Sequence, residues 1–533
     1  MCQTHVVTGH LDDLLRAAAA SQPDRLALVD TSSGRRLTWA ELDFEVGRVA
    51  RGLNELGLVA GYRVVLAVSN RTEFVQAYLA VLRARLVAVP VNPRAATGEL
   101  VRMIADCGAR LVIADAGTVG SVRQAVAGLV DALQGADNAL RARSVVPVVA
   151  VVGAPVVPPE IEYDALRADE PQVSAGVADP ESLAVLLYTS GTSGRPRAAM
   201  LTHRALRANV EQAGAVDPPM ITGDDVVLGV LPLFHVYGLN AVLGQVLYQG
   251  SRLVLVDGFE AEGTLDVIAD EAVTVVPVAP PVFAHWSGVA DLEERLSSVR
   301  LVLSGSAPLS PELVSQFTGR TGIEVHEGYG LTEAAPVVTS TLRSATRKPG
   351  SVGSALPGVE LRLVGDAGRA PAGEDPGEIW VRGDNLFSGY WPDGSDGPDY
   401  NGWYATGDVG FLDADGDLFL VDRLKELVIV SGFNVYPFEV EEVILEVPGV
   451  REAAVIGVPD PVTGEAVIAY VTMAADTSAD VVTDAVLDHC ALRLARFKQP
   501  REVQVVDELP HTAIGKVAKG RLRARRRDAE LLQ

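Results

Sequence analysis

Short runs of branched aliphatic residues, each followed by a stretch with helical spacing, recur from residue 62 to residue 306. The segment 62–70 (YRVVLAVSN) has the look of a strand, 72–84 (TEFVQAYLAVLRA) of a helix, and 85–93 (RLVAVPVNP) of a strand again. The rhythm returns at 226–234, 251–258, 273–280 and 299–306. A strand with one wet face alternates apolar and polar residues. These runs are continuous, so both faces must be covered, and the intervening segments supply the helices that cover them. The expected fold class is therefore α/β, with a large multi-sheet N-terminal domain of helix-covered sheets.

A second, smaller body is expected downstream. Gly, Pro and Asp crowd together at 389–408 (GYWPDGSDGPDYNGWYATGD), the composition of a long surface loop. Beyond it the pattern restarts. A helix opens at Pro437 with Glu439, Glu441 and Glu442 in its first turns, where the positive end of a helix favours carboxylates. Strands follow at 452–458 and 465–473, then a helix near 481–496 and a last helix after Gly515. The division predicted is 1–422 for the large domain and 423–533 for a small α+β domain, with the boundary near Asp422 to Lys425.

Bulk properties exclude several function classes. A chain of 533 residues exceeds one ordinary core. Its formal net charge of −24 argues against nucleic acid as a partner. Cys2, Cys107 and Cys490 are too scattered for a disulfide framework or a metal-ligand spacing, so a reducing, cytoplasmic setting is expected. The N-terminus lacks a basic segment followed by an apolar one, and the apolar run 145–159 is short and broken by prolines. That run reads as one strand plus a loop. The region 117–159 as a whole, rich in Ala and Val, has no evident role. The basic run Arg521 to Arg527 reads as a solvated last helix turn.

The chemistry concentrates in loops. The stretch 186–203 (LLYTSGTSGRPRAAMLTH) places Thr189, Ser190, Gly191, Thr192, Ser193 and Gly194 after an apolar strand. Glycines let main-chain N–H groups approach an anion and hydroxyls add donors, so the loop can cradle phosphates, although a plain flexible turn has the same composition. Neither a Walker pattern nor a Rossmann glycine fingerprint is present. Further down the chain lie LVLSGSAPLS (301–310), EGYGLTEAAP (327–336), TGDVGFLDADGDLFLVDRLKELV (406–428) and LPHTAIGKVAKGRLR (509–523). Taken singly these residues have ordinary explanations. Lys516 is a surface lysine, Glu333 a helix-start carboxylate, Asp408 a turn former, Arg423 and Lys425 a solvated face, and His235 a core histidine.

Together and in this order, the motifs resemble those of the adenylate-forming superfamily, which contains acyl-CoA synthetases, luciferases and peptide-synthetase adenylation domains. The chain is most similar to the bacterial fatty acyl-CoA ligase branch, most closely in VDRLKELVIVSGFNVYPFEVEEVI and EGYGLTEAAPVV. The resemblance covers nearly the whole chain, from Thr38 and Trp39 to Arg523. It implies ATP-dependent activation of a carboxylic acid to acyl-AMP with release of pyrophosphate, then transfer to the thiol of coenzyme A with release of AMP. Both steps move negative charge, so such a site needs cations and fixed dipoles more than a strong base. It also implies a small domain that is mobile, rotating between the two half-reactions about a hinge at Lys425.

Roles carried over by motif are as follows. Thr189 to Gly194 would wrap the β- and γ-phosphates of ATP, with Thr192 and Glu333 as contacts to Mg2+. Gly305, Ser306 and Ala307, with Glu327, Gly328 and Tyr329, would form the adenine slot, Tyr329 stacking on the base. Thr332 would bond the α-phosphate, and Asp408 and Arg423 would take the ribose. Lys516 would bridge the acyl carboxylate and α-phosphate during adenylation. In the second pose Ser431, Gly432 and Phe433 would line the pantetheine tunnel, and His235 would gate between acyl pocket and thiol.

An apolar lining of Val278, Ala279, Val282, Gly330 and Ala334 suits an aliphatic monocarboxylate, expected to be a medium- or long-chain fatty acid; an aromatic acid is the alternative. The acyl chain can come from a bilayer by peripheral membrane contact without an anchor in this chain. Rival readings are an acyl-AMP ligase that passes its product to a carrier-protein phosphopantetheine, and a non-catalytic homologue. Three departures from the family pattern stand out. Arg197 and Ala198 follow Pro196 where lysine and glycine are usual, Ala513 stands two before the final glycine–lysine pair where the family often has another residue, and the segment from Gly117 to Pro159 is long.

Overall fold

The computed structural model describes residues 9–531 except 135–137, 175–178, 190–196, 308, 366–367, 372–374, 424–425, 431–432, 461–462, 474–477 and 512–515. The chain separates into two compact units. The first takes Met1–Pro349, Gly353–Glu360 and Arg382–Tyr404, and the second takes Gly350–Val352, Leu361–Val381 and Ala405–Gln533.

Among the described residues the first unit holds two seven-stranded sheets, as the continuous aliphatic runs require. One has the order Ile161–Glu162, Val148–Val152, Leu111–Asp115, Arg63–Ala67, Val87–Pro90, Leu183–Thr189, Arg197–Thr202. Its strands are parallel except for the last pair, in which Leu183–Thr189 and Arg197–Thr202 run antiparallel and end at the partners Thr189 and Arg197. The helix Thr97–Cys107 is closed by Gly108 at φ +60°, a left-handed conformation that glycine adopts without penalty. The region 117–159 proves to be part of this sheet. Helix Val119–Gln134 sends Val122, Ala125 and Leu129 into the core, and strand Val148–Val152 extends the parallel ladder from Leu111–Asp115.

The other sheet has the order Val325–Glu327, Leu301–Ser304, Val275–Val278, Val226–Gly229, Arg252–Leu255, Leu26–Asp30, Arg35–Thr38. Thr38 caps the following helix, Trp39–Glu55, in a reciprocal box with Glu41. Helices pack Val276, Val302, Phe283, Trp286 and Phe317 into one core. The parallel register pairs Val302 with Val325 and Ser304 with Glu327. It therefore sets the loops that follow these two strands side by side, at the carboxyl ends where open α/β sheets bind ligands.

The strand Trp403–Leu412, which belongs to the second unit from Ala405 onward, pairs antiparallel with Leu418–Arg423. Further on, strands Val450–Asp460, Gly464–Met473 and Glu502–Val505 and helices Pro437–Leu445 and Ala479–Arg493 enclose Val440, Ile444, Val455, Val471, Val486 and Cys490. A last helix spans Lys519–Leu531. Cys107 and Cys490 are buried, which pushes their thiols up to about 12 and about 11 and leaves them inert.

One expectation needs correction. The stretch 389–408 is not a free surface loop. Tyr390 is 8% exposed, Met200 donates its N–H to the Gly389 carbonyl, Trp391 donates to that of Ala198, and residues from Trp403 onward form a strand. The aromatic residues Tyr390, Trp391 and Trp403 anchor what its Gly, Pro and Asp content suggests is loose. No described helix is long and apolar enough to cross a membrane.

Candidate active site

The segment Gly328 to Val338 is the best-defined part of the site. Gly328 and Gly330 are there because main chain passes close by. A side chain on Gly328 would meet the Thr339 carbonyl oxygen at 2.7 Å, and one on Gly330 would meet that of Pro336 at 2.3 Å. Thr332–Ala334 form a single 3-10 turn, followed by Ala335 at φ +63°, an unusual value for a residue with a side chain.

Three buried asparagines hold that conformation, and sequence reasoning gave no sign of them. The side-chain amide of Asn385 donates to the Ala334 carbonyl at 2.8 Å, that of Asn240 to Ala335 at 2.7 Å, and that of Asn209 to Val337 at 2.7 Å. Asn209 also accepts the Val337 N–H at 3.0 Å. All three are essentially excluded from solvent. The turn is thus fixed by side chains from elements far apart in sequence.

Thr332 is half-buried and Glu333 is 9% exposed. The Tyr390 hydroxyl donates to Glu333 Oε1 at 2.5 Å, and Phe387 donates its N–H to the Glu333 carbonyl at 2.9 Å. Burial, then the neighbouring carboxylate, raises the Tyr390 pKa well above its usual range, so the phenol keeps its proton and remains a donor. The donor chemistry suits Mg2+, a hard cation that takes few protein oxygens and keeps water and phosphate ligands. Glu333 offers Oε2 while Oε1 is held by Tyr390. Thr192, the other expected contact, lies outside the described residues, as do Ser190, Gly191, Ser193 and Gly194.

Thr189 ends its strand with Oγ1 donating to the Arg197 carbonyl at 3.4 Å. Arg197 occupies the place of the usual lysine. Its guanidinium lies 3.8 Å from the centroid of the Tyr390 ring and pairs with Asp396 at 2.7 Å. Tyr390, unforeseen from sequence, therefore links Arg197 to Glu333.

The paired strands Leu301–Ser304 and Val325–Glu327 set Ser304 opposite Glu327, so the segments that open at Gly305 and Gly328 leave neighbouring strand ends. Ser306 has φ +76°, a strained value of the kind that clusters at functional sites. Glu327 is half-buried, and the loss of water around its carboxyl pushes it up to about 7 against the opposing influence of Arg347. Tyr329 is 7% exposed; its N–H donates to Thr339 Oγ1 at 3.2 Å.

His235 is half-buried, and its Nδ1 accepts the Tyr237 N–H at 3.4 Å. A π-helix, Tyr237–Gly244, follows directly, a form found mostly at functional positions. The Tyr237 ring lies 3.1 Å from where a side chain on Gly305 would begin. Of the expected acyl lining, Val278 and Val282 belong to the buried core with Phe283 and Trp286, so they underlie the strand end. Ala279, the next residue outward from Val278, is half-buried.

The second unit carries its own candidate residues. Asp408 is 9% exposed, and its N–H donates to Thr406 Oγ1 at 3.1 Å. Arg423 is its partner across the ladder. Lys516 is half-buried. Phe433 opens the strand Phe433–Val435. Lys425, Ser431, Gly432 and Ala513 lie outside the described residues.

Residues 15–391 match the AMP-binding enzyme family, and residues 439–516 match the AMP-binding enzyme C-terminal domain. The chain is 34% identical to 4-coumarate–CoA ligase-like 9 of Oryza sativa subsp. japonica, over 95% of this chain and 90% of that one. It is 32% identical to the long-chain-fatty-acid–CoA ligase of Bacillus subtilis (strain 168), over 96% and 94%. The anthranilate CoA ligase AuaEII, solved in complex with anthranoyl-AMP, superposes with a TM-score of 0.87 at 26% identity, covering 98% of each chain.

Proposed function

We propose that this chain, which belongs to the AMP-binding enzyme family, converts an apolar monocarboxylic acid into its coenzyme A thioester through an acyl-adenylate. ATP, Mg2+ and CoA are its cosubstrates and cofactor. The observation that carries the reading is the buried Glu333 carboxylate, oriented by Tyr390 beside Thr332 on a turn clamped by Asn209, Asn240 and Asn385.

In the first half-reaction a carboxylate oxygen of the acid attacks the α-phosphorus of ATP. A C–O–P linkage forms and the bond to pyrophosphate breaks. Thr332 donates its hydroxyl to the α-phosphate, and Thr189 with the loop that follows takes the outer phosphates. Glu333 would hold Mg2+, which when bound would supply positive charge to offset that of the phosphates. Gly305 to Ala307 and Glu327 to Tyr329 hold the adenine, and Asp408 with Arg423 holds the ribose. Lys516 supplies an ammonium to the charge that gathers on the acyl carboxylate and α-phosphate. In the second half-reaction the CoA thiol attacks the acyl carbonyl, a C–S bond forms, and AMP leaves. Ser431, Gly432 and Phe433 line the path of the pantetheine arm, and His235 stands where it meets the acyl group. A hinge at Lys425 separates the two steps, with residues 1–422 as the nucleotide and acyl domain and 423–533 as the moving one.

A medium- or long-chain fatty acid is the first candidate for the acid, in keeping with the Bacillus relative. A planar aromatic acid is favoured by Tyr237, whose ring closes against Gly305, and by the relatives named for 4-coumarate and anthranilate. The deciding measurement is pyrophosphate and AMP release with fatty, hydroxycinnamic and benzoic acids, each with CoA, with a phosphopantetheinylated carrier protein, and with neither. CoA-dependent AMP formation with one acid class is the expected result. Release with the carrier protein alone would favour the acyl-AMP ligase alternative, and no release with any acid would sink the ligase reading.

A further inference from the structure

We propose that Tyr390 is a positioning residue for Glu333, and that Arg197 acts through Tyr390 to set how Glu333 meets the magnesium ion. The inference rests on the reading of Glu333 as a magnesium contact. It departs from a role for Arg197 as a direct phosphate ligand.

Glu333 is gripped at two points by one short segment. Tyr390 donates to its carboxylate at 2.5 Å, and Phe387 donates to its main-chain carbonyl at 2.9 Å. Rotating the carboxylate would break a charge-assisted bond at a residue that is only 9% exposed. With Oε1 fixed, Oε2 is presented in one direction.

Tyr390 is itself held on several sides. Its ring meets Phe387 edge-on at 5.1 Å, and its N–H donates to the Ser395 carbonyl at 2.9 Å. Arg197 then lies over the ring at 3.8 Å and ends on Asp396 at 2.7 Å. A cation on the face of a phenol draws electron density from the ring and strengthens the hydroxyl as a donor. The planar guanidinium can stack and bond Asp396 at the same time, whereas a lysine ammonium is a point charge with no face to stack. The exchange of lysine for arginine at this position thus has a local reason: the residue is committed to Tyr390 and Asp396.

The test is calorimetric binding of ATP to the full chain, with and without MgCl2. In the unchanged protein Mg2+ should strengthen ATP binding, and Glu333→Gln should abolish that gain. Tyr390→Phe keeps the ring and its packing, so metal-free ATP binding should be unchanged while the gain from Mg2+ falls roughly 10-fold, the scale of groups that orient metal ligands. Arg197→Lys should show the same selective loss, smaller in size, and the double variant should be no worse than Tyr390→Phe alone. A full magnesium gain in Tyr390→Phe overturns the proposal. So does a loss of metal-free ATP binding in Arg197→Lys, which would make Arg197 a phosphate contact. If Glu333→Gln retains the gain, or the unchanged protein binds no ATP, the underlying reading of the site fails as well.

Discussion

Asp408 and Arg423 are direct partners across the antiparallel pair formed by Trp403–Leu412 and Leu418–Arg423. Such partners have α-carbons about 4.5–5.5 Å apart. Two residues separated by a turn in sequence are thereby brought to one spot by main-chain register. Asp408→Asn leaves that register intact and removes the charge proposed to take the ribose hydroxyls. The KM for ATP is expected to rise about 10-fold, as for loss of a hydrogen bond to a charged group. The KM values for acid and CoA should hold. Steady-state kinetics check this, and an equal rise in all three would mean that the site had collapsed.

Lys516→Ala separates the half-reactions. Adenylation, followed as pyrophosphate release, is expected to slow by roughly 10²–10³-fold or more, the scale for losing one group that stabilises charge in the transition state. Thioester formation from supplied acyl-adenylate should survive. Equal loss in both steps would argue against the role assigned to the ammonium.

Much of the fold was legible because burial on both faces leaves a continuous aliphatic signature. The strands Arg63–Ala67, Val226–Gly229, Val275–Val278 and Leu301–Ser304 all fall inside runs marked by that pattern. Within the candidate site, motifs singled out Thr332, Glu333 and Asp408, of which the fold buries Glu333 and Asp408. The supports were not marked in this way. Asn209, Asn240 and Asn385 lie scattered in sequence and converge only through tertiary packing, and a lone asparagine carries no periodic signal. Tyr390 was hidden by its neighbours, since Gly, Pro and Asp report a loop and say nothing of one aromatic side chain turned inward.

Glu327 gives the site a pH signature. Its carboxyl is pushed up to about 7 in the folded protein from 4.5. The folded state therefore holds a proton that the unfolded state releases, and stability is fully present below pH 4.5 and declines as pH rises to about 7. Glu327→Gln mimics the protonated form and should flatten this part of the profile, raising the thermal midpoint near neutral pH more than near pH 5. Thermal melts of both proteins across that range provide the check; parallel profiles would count against a proton held by Glu327.

The asparagine clamp can be tested at Asn385. Asn385→Ala leaves the Ala334 carbonyl without its 2.8 Å partner. The expected cost is about 1–3 kcal/mol for an unsatisfied buried group. Because the affected turn carries Thr332 and Glu333, adenylation should weaken in the same variant at temperatures where it remains folded. Unchanged stability together with unchanged adenylation would show the clamp to be idle.

The antiparallel pairing of Leu183–Thr189 with Arg197–Thr202 has a wider electrostatic consequence. In strand-to-helix phosphate loops, the helix that follows points its positive end at the anion. Here the chain returns along a strand, and the next helix, His203–Gly214, begins only after that strand has run its length. The cation at the end of the loop is already matched by Asp396. Among the described residues, that strand end offers a nucleotide neither a helix start nor an unmatched Arg197. Nucleotide capture should therefore depend on counter-charge that travels with the ligand, and should respond to free divalent cation far more steeply than to monovalent salt.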